Sequence, residues 1–290
     1  MKVEAYAKVN FTLEVFGRRT DGYHALRSVV MPISLSDTLD IEVTDDGEIT
    51  SDTGYDDDLC VKAARVLRNV RMFECSNVRM PGARIRVKKR IPAGGGLGGG
   101  SADAAAVLRA LNELWKAGLS REELAEIGAQ VGSDVPALVF NAPVIMEGRG
   151  ELVSPIEQSN NPNKRTIHLV LVNPGVHSST KEVYGALGER ASRPFNGAAN
   201  ATAKMVAALQ AGDVDEIAAA LMNDLQPPAV KLHPEIADAL VSLRTAGVVG
   251  AMMSGSGSSV FGLARDADET ARISSELNAR GYQAWPVQTL

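Results

Sequence analysis

From Pro92 to Ala102 the chain reads Pro-Ala-Gly-Gly-Gly-Leu-Gly-Gly-Gly-Ser-Ala. After Pro92 and Ala93, the glycines Gly94, Gly95, Gly96, Gly98, Gly99 and Gly100 surround a single side chain, Leu97. Glycine costs backbone entropy on folding, so a run this dense needs a reason. Where no Cβ intervenes, successive backbone N–H groups can turn toward one point. With Ser101 and Ala102 opening a helix, those donors join the positive end of the helix dipole, an arrangement that suits phosphate oxygens. Leu97 reads as the loop's anchor in the core. The spacing Gly94-x-Gly96-x-x-Gly99 formally matches a dinucleotide fingerprint, but no acidic residue closes a second strand about 20 residues on. Glu122 and Glu123 open a helix instead. A Walker A loop is excluded too, because no Gly-Lys-Ser or Gly-Lys-Thr follows.

Other residues could serve such a loop. Asp134 stands in Gly132-Ser133-Asp134-Val135-Pro136, where its carboxylate either caps the helix that follows or is held at a site. Lys8 lies in an apolar stretch, where a long cation needs a partner if it points inward and none if it faces out. Asn10 shares its strand parity, so both side chains leave the same face. Tyr23 and His24 follow the turn Asp21-Gly22, as a packed hairpin tip or as a binding edge. Ser256 and Gly257, within Ser254-Gly255-Ser256-Gly257-Ser258-Ser259, offer more backbone donors or a β-bulge. No His or Cys spacing suggests a structural metal.

The elements that must position these residues alternate irregularly. Strands are expected at 3–16, 29–35, 38–43 and 84–90, with an acidic loop or hairpin tip at 44–58. The alternation of Arg84-Ile85-Arg86-Val87-Lys88-Lys89-Arg90 reads as a strand with one solvated, charged face. Helices are expected at 59–70, 103–117 and 122–131, the last opened by the capping box Ser120-Arg121-Glu122-Glu123. A hairpin at 144–147 and 151–153 closes the first half. The polar stretch Gln158–Lys164 reads as a linker, dividing the chain into an N-terminal ATP-binding domain, 1–157, and a C-terminal domain, 158–290. Beyond it a buried strand at 167–172 precedes helices at 179–187, 199–210, 214–222 and 234–246. A glycine-rich strand pair at 250–263 and a last helix and strand at 268–287 complete the chain. Hairpins without a regular βαβα alternation favour an α+β fold over a doubly wound sheet.

The bulk numbers fit a soluble protein of 290 residues, 45% apolar and 22% charged. A net charge of −5 argues against a nucleic-acid partner. Cys60 and Cys75 stand in no pairing or metal spacing, which suits a reducing compartment. No signal peptide or apolar run of membrane-spanning length is evident, so a cytoplasmic location is expected.

The loop Pro92–Ser101 resembles the phosphate-binding motif of the GHMP kinases, the superfamily of galactokinase, homoserine kinase and mevalonate kinase. Ala7-Lys8-Val9-Asn10, Asp21-Gly22-Tyr23-His24, Gly132–Pro136, Glu147-Gly148-x-Gly150-Glu151 and Asn223-Asp224-Leu225 resemble one branch of it, in the same order. Ser254–Ser259 is similar to the third, C-terminal motif of the superfamily. The likeness runs from about residue 5 to 264.

This resemblance implies a two-domain α+β kinase with its active site in the inter-domain cleft. The substrates it implies are ATP and a small alcohol joined to cytidine diphosphate. ATP would lie along Pro92, Ala93, the glycines around Leu97, Ser101 and Ala102, with Asp134 as base and Lys8 as its electrostatic partner. Asn10, Tyr23, His24, Thr180, Tyr184, Ser256 and Gly257 would meet the substrate, His24 at the cytosine edge and Tyr184 as a second stacking ring. Mg²⁺ is expected with ATP, Ser101 being the best protein ligand. Two departures stand out: Asp58-Leu59 where the family carries Asn-Leu beside adenine, and Gln226 where Glu is usual. Rival readings are a GHMP kinase for homoserine or mevalonate, a nucleotide binder without catalysis, and a dinucleotide oxidoreductase. Oligomeric state is left open.

Overall fold

The computed structural model describes residues 1–72, 81–157, 166–188 and 201–290. Two long antiparallel strands organise the first half, β1 (Lys2–Arg18) and β2 (His24–Thr44). The two strands expected at 29–35 and 38–43 form this one β2, because register shifts at Tyr6/Lys8 and Asn10/Thr12 absorb the bend. From Ala7 to Phe16, β1 is buried without interruption rather than alternately. Elements cover both of its faces, which removes the usual polar side of a strand.

β3 (Ile49–Ser51) lies inside the acidic segment expected to be loop, parallel to β4 (Gly82–Lys88), with α1 (Leu59–Met72) between them. The glycine run then feeds α2 (Gly99–Leu114), which starts four residues before the expected 103. Gly98, left-handed at φ 69°, occupies its N-cap position. Alanine at 102, 104, 105 and 106 lets α2 pack close on every side, all four being buried. α3 (Arg121–Gly128) opens with the expected reciprocal capping box, both of whose hydrogen bonds form, and stops short of the expected 131. α4 (Val135–Phe140) and the hairpin β5 (Val144–Gly148) and β6 (Leu152–Pro155) complete this half.

The expected linker, Gln158–Lys164, lies outside the described residues. Beyond it come β7 (His168–Asn173), α5 (Thr180–Gly185), α6 (Ala201–Ala211), α7 (Val214–Ala220) and β8 (Met222–Asn223). α8 (Gln226–Leu232), which sequence periodicity did not reveal, precedes α9 (Pro234–Thr245), β9 (Gly250–Met253), β10 (Val260–Ala264), α10 (Ala267–Ala279) and β11 (Gln283–Gln288).

Among the described residues the strands form two sheets. The larger runs β3-β4-β2-β1-β8, with β5 and β6 branching from β2. The smaller, antiparallel throughout, runs β11-β7-β10-β9. The halves interlock. β8 pairs with β1 in parallel, Thr12 beside Met222, although 210 residues of chain separate the partners. Phe11 of the large sheet stacks on Phe261 of the small one, centroids 5.6 Å apart. Helices segregated against two sheets make this the expected α+β fold.

Candidate active site

Two glycine loops from opposite halves meet back to back over the Lys8–Asn10 stretch of β1. The first, Gly94–Gly100, is tied to β1 where Lys8 N–H donates to Leu97 O at 3.0 Å, and the Leu97 side chain is buried. The second, Ser254–Ser259, reaches across: Ser254 Oγ–H donates to Gly96 O at 3.0 Å and Ser259 N–H to Gly95 O at 3.1 Å. A methyl group at Gly96 would stand 3.0 Å from Gly257 O and closer still to Ser254 O, so no other residue fits there. Both loops line one cleft of about 1250 Å³. Pro92 and Ala93, which lead into the first loop, reach this cleft, as does every residue from Gly94 to Ser101. Ala102 does not: it is buried in the core, and its N–H donates to Gly98 O at 2.8 Å as the first turn of α2. The open N-terminus of α2 faces the cleft without a side-chain cap, as an anion site requires.

Lys8 points inward. It is 4% exposed, donates to Asn10 Oδ1 at 2.7 Å and lies 3.4 Å from Asp134 Oδ2. Asn10 in turn donates to Ser28 Oγ at 2.7 Å, and Ser28 Oγ–H to Thr12 O at 2.5 Å, a buried chain that fixes the lysine's tip. Asp134 occupies the N-cap position of α4 but makes no capping hydrogen bond. Its carboxylate, 32% exposed, faces Lys8 and the cleft instead. The helix places the acid without consuming it.

Part of the cleft wall is aromatic. His24 and Tyr184 stack on each other, centroids 5.7 Å apart and planes at 22°. Burial, and after it the negative charge of Asp134, pushes the Tyr184 hydroxyl pKa upward. His24 Nδ1 is 3.1 Å from Phe16 O. Tyr23 stands exposed at the rim. Thr180 Oγ1 and Ser256 Oγ share a hydrogen bond of 2.7 Å, and Ser178 Oγ–H donates to Ser256 O at 2.7 Å, joining α5 to the second glycine loop. Lys8, Asn10, Tyr23, His24, Asp134, Thr180, Tyr184, Ser256 and Gly257 therefore all line the same cleft as the first loop.

Comparison with known proteins agrees with this geometry. Residues 58–142 match the GHMP kinases N terminal domain and 205–283 the GHMP kinases C terminal family. A 4-diphosphocytidyl-2-C-methyl-D-erythritol kinase of Symbiobacterium thermophilum is 40% identical, covering 100% of both chains. Another, of Pelotomaculum thermopropionicum, is 41% identical over 98% of this chain and 96% of its own. This chain belongs to the 4-diphosphocytidyl-2-C-methyl-D-erythritol kinase family of GHMP kinases. A crystal structure of a 4-(cytidine 5'-diphospho)-2C-methyl-D-erythritol kinase superposes with a TM-score of 0.82 at 33% identity, covering 100% of this chain and 99% of its own. The L. major mevalonate kinase, solved in complex with R-mevalonate, shares the fold at a TM-score of 0.73 and 20% identity, covering 100% of this chain and 95% of its own.

Within this GHMP kinase several residues support the site through contacts that sequence reading did not give. Lys89, next to last in the basic run, reaches inward below the first loop and bridges the buried Asp37 at 2.5 Å and Asp103 at 2.6 Å. Burial pushes the Asp103 carboxyl up to about 7, Lys89 opposing and the charge of Asp37 assisting. Arg84 and Arg86 of the same run do face out, toward Glu42 and Asp40. Asn223 holds the second loop, donating to Met253 O at 2.8 Å and Gly255 O at 2.9 Å. Gln226 Oε1 accepts from Met253 N–H at 2.9 Å, a role glutamate's oxygen would share. Asp58 caps α1 through Cys60 N–H at 2.7 Å and accepts from Thr53 Oγ1–H at 2.7 Å. Both of its oxygens thus serve the protein, whichever residue meets adenine.

Proposed function

We propose that this chain transfers the γ-phosphoryl group of ATP to the 2-hydroxyl of 4-diphosphocytidyl-2-C-methyl-D-erythritol, a step in the non-mevalonate route to isopentenyl diphosphate. The observation that carries the reading is the Lys8–Asp134 pair, 3.4 Å apart, beside the open N-terminus of α2 in a cleft that the His24–Tyr184 stack also lines. Phosphoryl transfer to an alcohol mostly needs positioning and charge stabilisation, with a group to orient or deprotonate the hydroxyl. Asp134 takes that proton. Lys8, held by Asn10, directs its remaining N–H donors at the charge that builds on the transferred group. The backbone N–H groups of both glycine loops and the α2 dipole hold the ATP phosphates. Mg²⁺ bound with ATP would neutralise phosphate charge, and Ser101, which lines the cleft at the start of α2, would be its protein ligand.

At the nucleoside end, a backbone carbonyl can only accept, so His24 Nδ1 carries a proton toward Phe16 O. In the neutral imidazole Nε2 is then the free acceptor, matched to the exocyclic amine of cytosine rather than the oxygen of uracil. A base entering between His24 and Tyr184 has to part their 5.7 Å stack to about 7 Å, two ring-contact distances. We take the halves on either side of residue 157 as the two domains and the reducing cytoplasm as the location. Among the described residues no helix is long and apolar enough to cross a membrane, and the net charge of −5 speaks against a nucleic-acid partner.

The test is ADP release with ATP, Mg²⁺ and the cytidylyl substrate, on the wild type and Asp134→Asn. Turnover that falls by about a hundredfold or more in the variant supports substrate and base together. Turnover with homoserine or mevalonate, and none with the cytidylyl alcohol, would sink the assignment.

A further inference from the structure

Arg18, Arg149 and Lys181 line the cleft without an ion-pair partner among the described residues, and Arg149 is placed differently from the other two. Arg149 occupies the variable position of Glu147-Gly148-x-Gly150-Glu151, at the tip of the β5–β6 hairpin, and lines the cleft. Among the described residues no carboxylate lies within 4.0 Å of its guanidinium, since the carboxylates around it are engaged elsewhere. Glu147 pairs with Arg27 at 2.7 Å, and Asp21 with Arg19 at 3.1 Å. Glu151 pairs with Arg19 at 3.2 Å and accepts from the Arg149 backbone N–H at 2.5 Å. The guanidinium lies over the Tyr23 ring instead, Cζ 5.7 Å from its centroid. A cation resting on a ring face gains modestly and keeps its N–H fork free for an anion.

The backbone of this tip is fixed to the chemistry. Gly150, at φ 120°, packs on the loop before α4: a methyl group there would stand 3.0 Å from the carbonyl carbon of Ser133 and closer to its oxygen. Ser133 immediately precedes Asp134. The turn that carries Arg149 is therefore packed one residue from Asp134, while its guanidinium lies over Tyr23. The other cations differ in placement. Lys89 is taken by Asp37 and Asp103, and Lys8 belongs to Asp134 and Asn10. Arg18 and Lys181 line the cleft from β1 and α5, but among the described residues it is Arg149 that rests on the Tyr23 ring from a turn packed against Ser133.

A substrate that runs base, diphosphate, alcohol must carry its two negative charges between its base and its reacting hydroxyl. We propose that Arg149 anchors the diphosphate of a cytidine diphosphate conjugate and so sets the distance from base to reacting hydroxyl. The inference rests on the function proposed above and assigns to it a positioning and specificity residue. The guanidinium fork suits two phosphate oxygens at once, and stacking on Tyr23 pre-orders it before the ligand arrives.

The test is calorimetric titration of cytidine, CMP and CDP into the wild type, Arg149→Gln and Arg149→Lys. In Arg149→Gln, CDP affinity should fall roughly 10- to 100-fold, the scale of a charge-assisted hydrogen bond, while cytidine and ATP affinities stay within about threefold. Arg149→Lys should recover part of the CDP loss, because charge returns without the fork. With the full substrate, Arg149→Gln should raise KM more than it lowers kcat. Equal losses for cytidine and CDP would reduce Arg149 to packing against Tyr23 and overturn the inference. An unchanged CDP affinity in a turning-over enzyme would overturn it while leaving the proposed function standing. A wild type that binds none of the three ligands would overturn both.

Discussion

Gly96→Ala separates a packed pair of loops from a merely flexible one. Gly96 sits at φ 73°, where an L-residue pays about 1–2 kcal/mol. Its new methyl would stand 3.0 Å from Gly257 O, 3.1 Å from Gly257 N and closer to Ser254 O. Restoring ordinary contact near about 3.5 Å requires the loops to part by about 1 Å. Two hydrogen bonds cross that gap, Ser254 Oγ–H to Gly96 O at 3.0 Å and Ser259 N–H to Gly95 O at 3.1 Å. Stretched so far, both pass the outer limit of about 3.5 Å, and each contributes about 1 kcal/mol net. Strain and lost bonds together come to about 3–4 kcal/mol.

Gly100→Ala is the matched comparison. Gly100 lies in the first turn of α2, and a methyl there meets only Leu59 Cδ1, at an ordinary 3.6 Å. Alanine is favoured over glycine inside a helix by about 1 kcal/mol, so this variant should be neutral or more stable. Urea unfolding of wild type and both variants, with ATP titration alongside, reads the difference. Gly96→Ala should lose stability and ATP affinity together. If it unfolds within about 1 kcal/mol of the wild type, or if Gly100→Ala suffers equally, the back-to-back packing described above is wrong.

Asp103→Asn should flatten the pH dependence of stability. With its carboxyl raised from 3.8 to about 7 by burial, folded protein keeps a proton that the unfolded chain releases. Wild-type stability should therefore decline from about pH 4 to pH 7, at up to about 1.4 kcal/mol per unit, and level off above. Urea unfolding at pH 5 and pH 8 should show a larger loss in wild type than in Asp103→Asn; parallel losses would contradict it. Asp58→Ala should cost about 1 kcal/mol by removing the α1 cap, and Asp58→Asn much less; equal stabilities of Ala and wild type would exclude the capping role. Asn223→Ala removes its bonds to Met253 O, Gly255 O and Leu225 N–H, about 2–3 kcal/mol in all. Its ATP affinity should weaken as the second loop loosens, and wild-type values in both titrations would refute that dependence.

Residues whose meaning is local were legible in the sequence. The glycine run must be a loop before a helix whatever surrounds it, and Ser120 and Glu123 satisfy each other within one turn. The parity of Lys8 and Asn10 put both on one face of β1, where they bond at 2.7 Å. Parity alone could not say which face was covered. That depends on what packs there, and at Thr12 and Leu13 the neighbour is β8, from the other half of the chain. The same limit hid Lys89, which continues the run of Arg84 and Arg86 but finds Asp37 52 residues away. Arg84 and Arg86 pair with exposed carboxylates on the neighbouring strand, whereas Lys89 reaches the buried Asp37 and Asp103. Arg149 was hidden differently, as the variable residue of a motif whose glycines carried the resemblance. Those glycines fix the turn that points it, so the motif specified a position and left its chemistry free. A residue's partners are thus written in whichever distant segment the fold brings to its face. In this cleft that segment is repeatedly from the opposite half, Ser254 onto Gly96 across 158 residues being the tightest case. The phosphate loop can be read alone, but the site it serves exists only once both halves have closed on β1.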